Sequence, residues 1–148
     1  MATKKSIYKH ILLATDLSKH SDFLAKRAAE IAKATGAKLS MIHVVTQAVI
    51  AYAGEFTIPI DMEFENALKK QACAQLTKFG KKYNVPTKSL HIGEGSVKLA
   101  VTDYAKKIKA DLIIVGTHSR SGFEVLLGSQ ANAILHAAPC DVWVIKTK

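Results

Sequence analysis

Apolar residues in this chain occur in two rhythms: short unbroken runs, and longer stretches in which they recur every three or four positions. Ile11, Leu12, Leu13 and Ala14 form the first run, within residues 8–15. A segment apolar at every position has no solvent face, so it predicts a strand covered on both sides. The same reading places strands over residues 38–45 (KLSMIHVV), 87–92, 111–117 (DLIIVGT) and 141–147 (DVWVIKT). Leu24, Ala28, Ile31 and Ala32 keep helical spacing, with Ser18 as the expected N-cap and Gly36 as the stop. Phe64, Leu68, Ala72, Leu76, Phe79 and Tyr83 make a second stripe over residues 62–83, ended by Asn84-Val85-Pro86. Val97, Ala100, Val101, Tyr104, Ala105 and Ile108 make a third, opened by Ser96 after the Gly93–Gly95 turn. Ala131, Ile134 and Leu135 mark a last helix beginning near Gly128-Ser129 and closed by Pro139.

Strand and helix alternate throughout. That order implies an α/β domain: a single doubly wound, five-stranded parallel sheet with helices on both faces. One segment breaks the rhythm. Residues 46–61 show no period, contain Gly54 and Pro59, and still carry Val49, Ile50, Tyr52, Phe56 and Ile58. A connection this long in a compact domain suggests a lid or a partner-binding segment.

Composition narrows the class. At 148 residues, 49% hydrophobic and 22% charged, the chain fits one globular domain with a core of its own. No apolar run approaches the roughly 18 residues of a membrane span, and the polar N-terminus lacks a signal-peptide pattern. A cytoplasmic protein with reduced thiols is therefore expected. Cys73 and Cys140 lack metal-ligand spacing and read as buried or half-buried small residues, with Cys140 a possible reactive thiol. The net charge of +9 raises the prospect of an anionic partner. The lysines are spread, however, over helix faces that should meet water. With no nucleic-acid motif present, a solvated surface is the preferred reading over nucleic-acid binding.

In a doubly wound sheet, ligands sit beyond the carboxyl ends of the strands, where the winding reverses. The candidates are Ala14, Thr15 and Asp16 after the first strand, Val44 in the second, and Val115, Gly116 and Thr117 after the fourth. His118-Ser119-Arg120-Ser121-Gly122 follows, then Gly128-Ser129 at a helix start. Small residues admit a phosphate close to the backbone, and a helix N-terminus favours its charge. Asp16 suits ribose hydroxyls or a metal, or else caps the first helix. His43 lies inside an apolar strand and reads as a satisfied core residue. No nucleophile motif or Walker-type loop is present, so any hydrolysis of a bound nucleotide is expected to be slow.

Taken together, these segments resemble the universal stress protein family over essentially the whole chain. The resemblance rests on residues 8–18 (YKHILLATDLS), Met41-Ile42-His43-Val44-Val45, residues 110–118 (ADLIIVGTH), Gly128-Ser129, and Pro139-Cys140-Asp141-Val142-Trp143-Val144-Ile145. It implies a Rossmann-like fold akin to the adenine nucleotide alpha hydrolases, a cytoplasmic stress-response role and a homodimer. It also implies ATP with Mg2+ as ligand in one branch of the family, and no ATP in another. Carried over by position, Asp16 would meet the ribose and Val44 the adenine. Val115 and Gly116 would flank the nucleotide, Ala14 and Thr15 would line the base or sugar side, and Ser119, Gly128 and Ser129 would hold phosphate. The ATP-binding branch carries a glycine-x2-glycine-x9-glycine-Ser/Thr loop. Here Ser119 stands at the second glycine, and eight residues separate it from Gly128. The loop thus lies between the two branches. The resemblance further implies that the last strand pairs across the dimer, through Val142, Val144 and Ile145 with Trp143 on the other face.

Two functions follow as expectations: a stress protein holding an adenine nucleotide, or a dimeric stress protein without one, acting through residues 46–61 or the last strand.

Overall fold

The computed structural model describes residues 6–45, 62–117 and 129–147, with Ser129 described by its backbone. Five parallel strands form the sheet: β1 (His10–Ala14), β2 (Lys38–Val45), β3 (Leu90–Glu94), β4 (Leu112–Gly116) and β5 (Asp141–Ile145). Their order is β3-β2-β1-β4-β5, so the chain winds outward one way from β1 and then returns to wind the other. The helices are α1 (Ser21–Thr35), α2 (Met62–Lys82), α3 (Val97–Ile108) and α4 (Ser129–Ala137).

Strand alternation sorts the apolar runs into two cores. Ile11, Leu13, Met41, Leu112 and Ile114 pack with Leu24, Ala25 and Ala28 of α1 and Leu76 of α2. Leu12, Ile42, Ile113 and Val115 pack on the other face with Val101 and Ala105 of α3 and Ala131 and Ile134 of α4. Ile11, Leu12, Leu13, Leu112, Ile113 and Ile114 are all completely buried. Each contributes about 1.5–3 kcal/mol by leaving water. This is why the runs have no polar position: each sheet face already has its helical layer.

The elements differ from expectation where local hydrogen bonds compete with periodicity. Helix α1 begins at Ser21, with His20 rather than Ser18 at the N-cap. Residues 87–89 form a 3-10 turn, not strand, because the Pro86 carbonyl takes the Ser89 N–H at 2.8 Å. Phe64 and Leu135, expected inside, are 47% and 41% exposed. Gly36 and Ser96 do act as the expected helix ends. Gly36 closes α1 at φ +71°, giving its N–H to Ala32, and the Ser96 hydroxyl accepts the Leu99 N–H. The segment 46–61 lies outside the described residues.

At the amino edge, His10 stitches three elements together. Its Nδ1 donates to the Ile108 carbonyl at 3.1 Å, and its Nε2 lies 2.7 Å from the buried Ser40 hydroxyl. With Nδ1 donating, Ser40 donates to Nε2 and the neutral ring is satisfied. Burial, aided by the Lys38 charge, lowers the His10 pKa. Burial and Lys107 do the same for His91, whose ring stacks on Tyr104 at 4.1 Å. When these groups titrate, the unfolded chain takes up protons from about pH 6.5, ahead of the folded one. Stability is therefore expected to fall as pH drops through 6.5 toward the lowered values. Thermal unfolding at pH 7.5 and pH 5 checks this. The midpoint should be lower at pH 5, and less so in a His10→Gln/His91→Gln double variant. An equal drop in the variant would remove both rings from the account.

Candidate functional site

The winding reverses between β1 and β4, so their carboxyl ends form the edges of the switch-point crevice. Leu13 is level with Ile114 across this seam and with Met41 on the other side. Continuing the register sets Ala14 beside Val115 and Thr15 beside Gly116, with Val44 two positions beyond the level of Ala14. Six of the expected site residues thus meet at one edge: Ala14, Thr15, Asp16, Val44, Val115 and Gly116. Ser129 opens α4. Ser119 and Gly128 lie outside the described residues, as do His118 and Arg120.

The turn from β1 into α1 is held by its own side chains. Thr15 is 5% exposed; its hydroxyl donates to Ser21 Oγ at 2.9 Å and accepts the Leu17 N–H at 3.1 Å. Asp16 Oδ1 accepts the Ser18 N–H at 2.9 Å and the Ser21 hydroxyl at 3.2 Å. Ser18 Oγ in turn accepts the His20 N–H at 3.3 Å. These bonds hold Leu17 in the left-handed region, φ +57°, unusual for a γ-branched residue. Asp16 therefore does support the helix entry, through one oxygen. Among the described residues, its Oδ2 has no partner.

His43 belongs to this edge, which its apolar surroundings in sequence concealed. It is half-buried, and its Nδ1 donates to the Thr15 carbonyl at 2.8 Å. That bond and the Thr15 N–H to Ile42 carbonyl bond, 2.9 Å, carry the β1–β2 pairing past the strand end. The expectation of a satisfied histidine is met, but at the rim rather than in the core.

Val44 and Val115 turn toward α3 and α4, at 9% and 4% exposure. Gly116 is small for a reason inside the protein. A Cβ there would stand 2.7 Å from Leu24 Cδ1 and 3.2 Å from Thr147 Cγ2. Beyond it, the Thr117 N–H binds the Ile145 carbonyl at 3.1 Å, and Thr117 Oγ1 accepts the Thr147 N–H at 3.1 Å. The β4 and β5 exits are thereby tied.

Strand β5 has no fully buried residue. Val142 and Val144 pack toward α3 and α4, whereas Ile145 packs toward the α1–α2 layer. Ile145 therefore shares its face with Trp143, not with the two valines, because side chains alternate along a strand. Trp143 is 40% exposed and meets Tyr8 edge-on at 5.7 Å. Tyr8 donates to Asp141 at 2.9 Å.

The cysteines carry no chemistry to this edge. Cys73 is exposed on α2, contrary to expectation, and Cys140 is partly buried. Burial raises the Cys140 pKa, which disfavours its thiolate. Among the described residues, no three His, Cys, Asp or Glu side chains are grouped to hold a metal. None of the described helices is long and apolar enough to cross a membrane.

Comparison with known proteins agrees with this architecture. Residues 7–146 match the universal stress protein family. Universal stress protein A homolog 1 of Coxiella burnetii is 45% identical over 141 residues, covering 95% of this chain and 98% of that protein. The structure of universal stress protein UspA from Lactobacillus plantarum aligns with a TM-score of 0.68 at 28% identity, covering 93% of this chain and 97% of that one. A universal stress protein solved in complex with cAMP aligns with a TM-score of 0.58 at 24% identity, covering 93% and 96%, a likeness of fold.

Proposed function

This chain belongs to the universal stress protein family, and from that premise we propose that it is a cytoplasmic stress-response protein binding an adenine nucleotide, ATP with Mg2+, at the β1–β4 edge. The observation that carries the reading is the Asp16 carboxylate. One oxygen is anchored by Ser18 and Ser21, and the other has no partner among the described residues at the switch point. A fixed carboxylate with an unspent oxygen suits two ribose hydroxyls. With the Val44 and Val115 side chains packed toward α3 and α4, it is their backbone that would line the base side, and Gly128 with the α4 start at Ser129 would receive phosphate. Mg2+ would be held mainly by the phosphates, offsetting the negative charge of Asp16. That a universal stress protein of this fold takes cAMP, itself an adenine nucleotide, supports the ligand class. Calorimetric titration with ATP and Mg2+ tests the proposal. Saturable heat is expected, and its absence at millimolar ATP, with the protein folded, would sink the nucleotide reading.

The second reading concerns assembly. Strand β5 lies at the end of the sheet order, partly exposed along its length and apolar at four successive positions. An uncovered edge of that kind invites pairing. We propose that two copies meet along it, around Trp143. Light scattering should give a dimer for the native chain and a monomer for Trp143→Glu. A native monomer at high micromolar concentration would end this reading.

A further inference from the structure

The lysines that look scattered in sequence converge in space. Lys9 stands just before β1 and Lys38 opens β2, and the Lys38 N–H binds the Lys9 carbonyl at 2.9 Å. Asp111, just before β4, accepts the Lys9 N–H at 2.8 Å and the His10 N–H at 3.0 Å. Two residues earlier, Lys109 caps α3, with its N–H on the carbonyls of Ala105 and Lys106. Lys33 lies in the last turn of α1, which returns to the same edge through Gly36. Parallel winding therefore delivers Lys9, Lys33, Lys38, Lys106 and Lys109 to the amino edge of the sheet, opposite the proposed nucleotide site. All five are exposed. None forms an ion pair among the described residues, where Lys69 and Lys82 do, with Glu94 and Asp22.

Helix dipoles account for Lys33 and Lys106, since cations suit helix C-termini. They do not account for Lys9 and Lys38, which begin neighbouring strands about 5 Å apart. The acids nearest the strand starts are Asp111, with both oxygens on backbone N–H groups, and Asp141, bound by Tyr8, while Glu30 and Asp103 stand one turn before Lys33 and Lys106 and form no ion pair among the described residues. Unpaired like charges repel, so such a row is favourable chiefly when an anion lies across it.

We propose that the amino edge of the sheet binds the phosphate backbone of a nucleic acid strand without reading its sequence. The cluster is lysine throughout, with no arginine. The arginine fork orients carboxylates and phosphates alike, whereas an ammonium point charge demands no acceptor geometry and suits the evenly spaced, densely charged phosphates of a strand that is not held in one register. Lysine can donate to guanine, but the cluster has no arginine, asparagine or glutamine with which to read successive base edges.

The test is fluorescence anisotropy with a labelled 20-nucleotide oligo(dT), read from 50 to 200 mM salt. Native protein should bind at 50 mM, with log affinity falling linearly against log salt by roughly 0.7 per phosphate contact. The triple variant Lys9→Gln/Lys38→Gln/Lys109→Gln should lose at least tenfold in affinity and flatten that slope. Lys26→Gln/Lys70→Gln/Lys98→Gln removes the same charge elsewhere and should retain most of the binding. Both variants are compared at matched thermal stability, so misfolding is seen directly. Three results overturn the proposal: no binding at 50 mM salt, equal losses in the two variants, or equal affinity for a 20-residue oligoglutamate. ATP calorimetry reads the opposite edge, so its outcome neither rescues nor removes this one.

Discussion

Asp16→Asn is expected to weaken ATP binding at least tenfold while leaving the thermal unfolding midpoint close to that of the native chain. The asymmetry of the Asp16 carboxylate makes the two effects separable. Its Oδ1 receives two donors, the Ser18 N–H and the Ser21 hydroxyl. An asparagine turns its own carbonyl oxygen to those donors, so the entry to α1 stays closed. Its NH2 then replaces Oδ2, and an N–H cannot accept from a ribose hydroxyl. Hydrogen bonds to a charged group are worth about 1.5–3 kcal/mol, and tenfold in affinity is about 1.4 kcal/mol. Loss of one such bond suffices. Removing a negative charge also eases phosphate approach, but at ribose-to-phosphate distances much of that repulsion is screened by Mg2+ and salt. The local loss therefore wins. Asp16→Ala would be a poorer experiment, since it also leaves the Ser18 N–H and the Ser21 hydroxyl without their acceptor and confuses binding with folding. Calorimetry and thermal melts on the same samples decide the matter. Unchanged ATP affinity in Asp16→Asn would make the carboxylate a helix-entry device and nothing more.

How far the sequence could be read follows from the range of each force. The five strands and four helices were legible because burial on both sheet faces writes itself into consecutive positions: residues 11–13 and 112–114 are apolar because each has a helix layer opposite. The edge that gathers Asp16, Val44 and Gly116 was legible too, since alternating elements force parallel winding and a reversal. What escaped was set by three-dimensional partners. Nothing local says that His43 reaches the Thr15 carbonyl, a contact fixed by strand register. Nothing in a Thr-Lys-Ser stretch announces that the Pro86 carbonyl will bend it into a 3-10 turn. The convergence of Lys9, Lys38 and Lys109 belongs to the same class: residues far apart in sequence share an edge through the winding alone. In sequence they read only as separate solvent-facing charges, and all three are indeed exposed. Ile145 is a different case. Strand period alone sets it beside Trp143, and its apolar character had grouped it with Val142 and Val144.

Gly116 shows most sharply how one residue answers two demands, and it supports the second large expected effect. By the resemblance, the glycine serves the ligand by flanking the nucleotide. In the fold it serves α1, because a Cβ at this position would stand 2.7 Å from Leu24 Cδ1. Real Cβ contacts are not that short, so Gly116→Ala must displace Leu24. Leu24 is only 5% exposed and sits in the layer with Ile11, Leu13 and Ile114, where free rotation has no room. Thr147, 1% exposed, closes the other side with its Cγ2 at 3.2 Å. Overpacking of this kind costs about 1–3 kcal/mol. Leu24→Ala alone should cost about 2–5 kcal/mol through the cavity it leaves. The added methyl of Gly116→Ala fills part of that cavity, so the double variant should be less destabilised than the sum of the two by about 1 kcal/mol or more, within the range for residues in contact. Urea unfolding of all four proteins gives the coupling directly. Additive costs would mean that Leu24 does not confine position 116. The small residue would then be explained by what approaches from outside the sheet, returning Gly116 to the ligand.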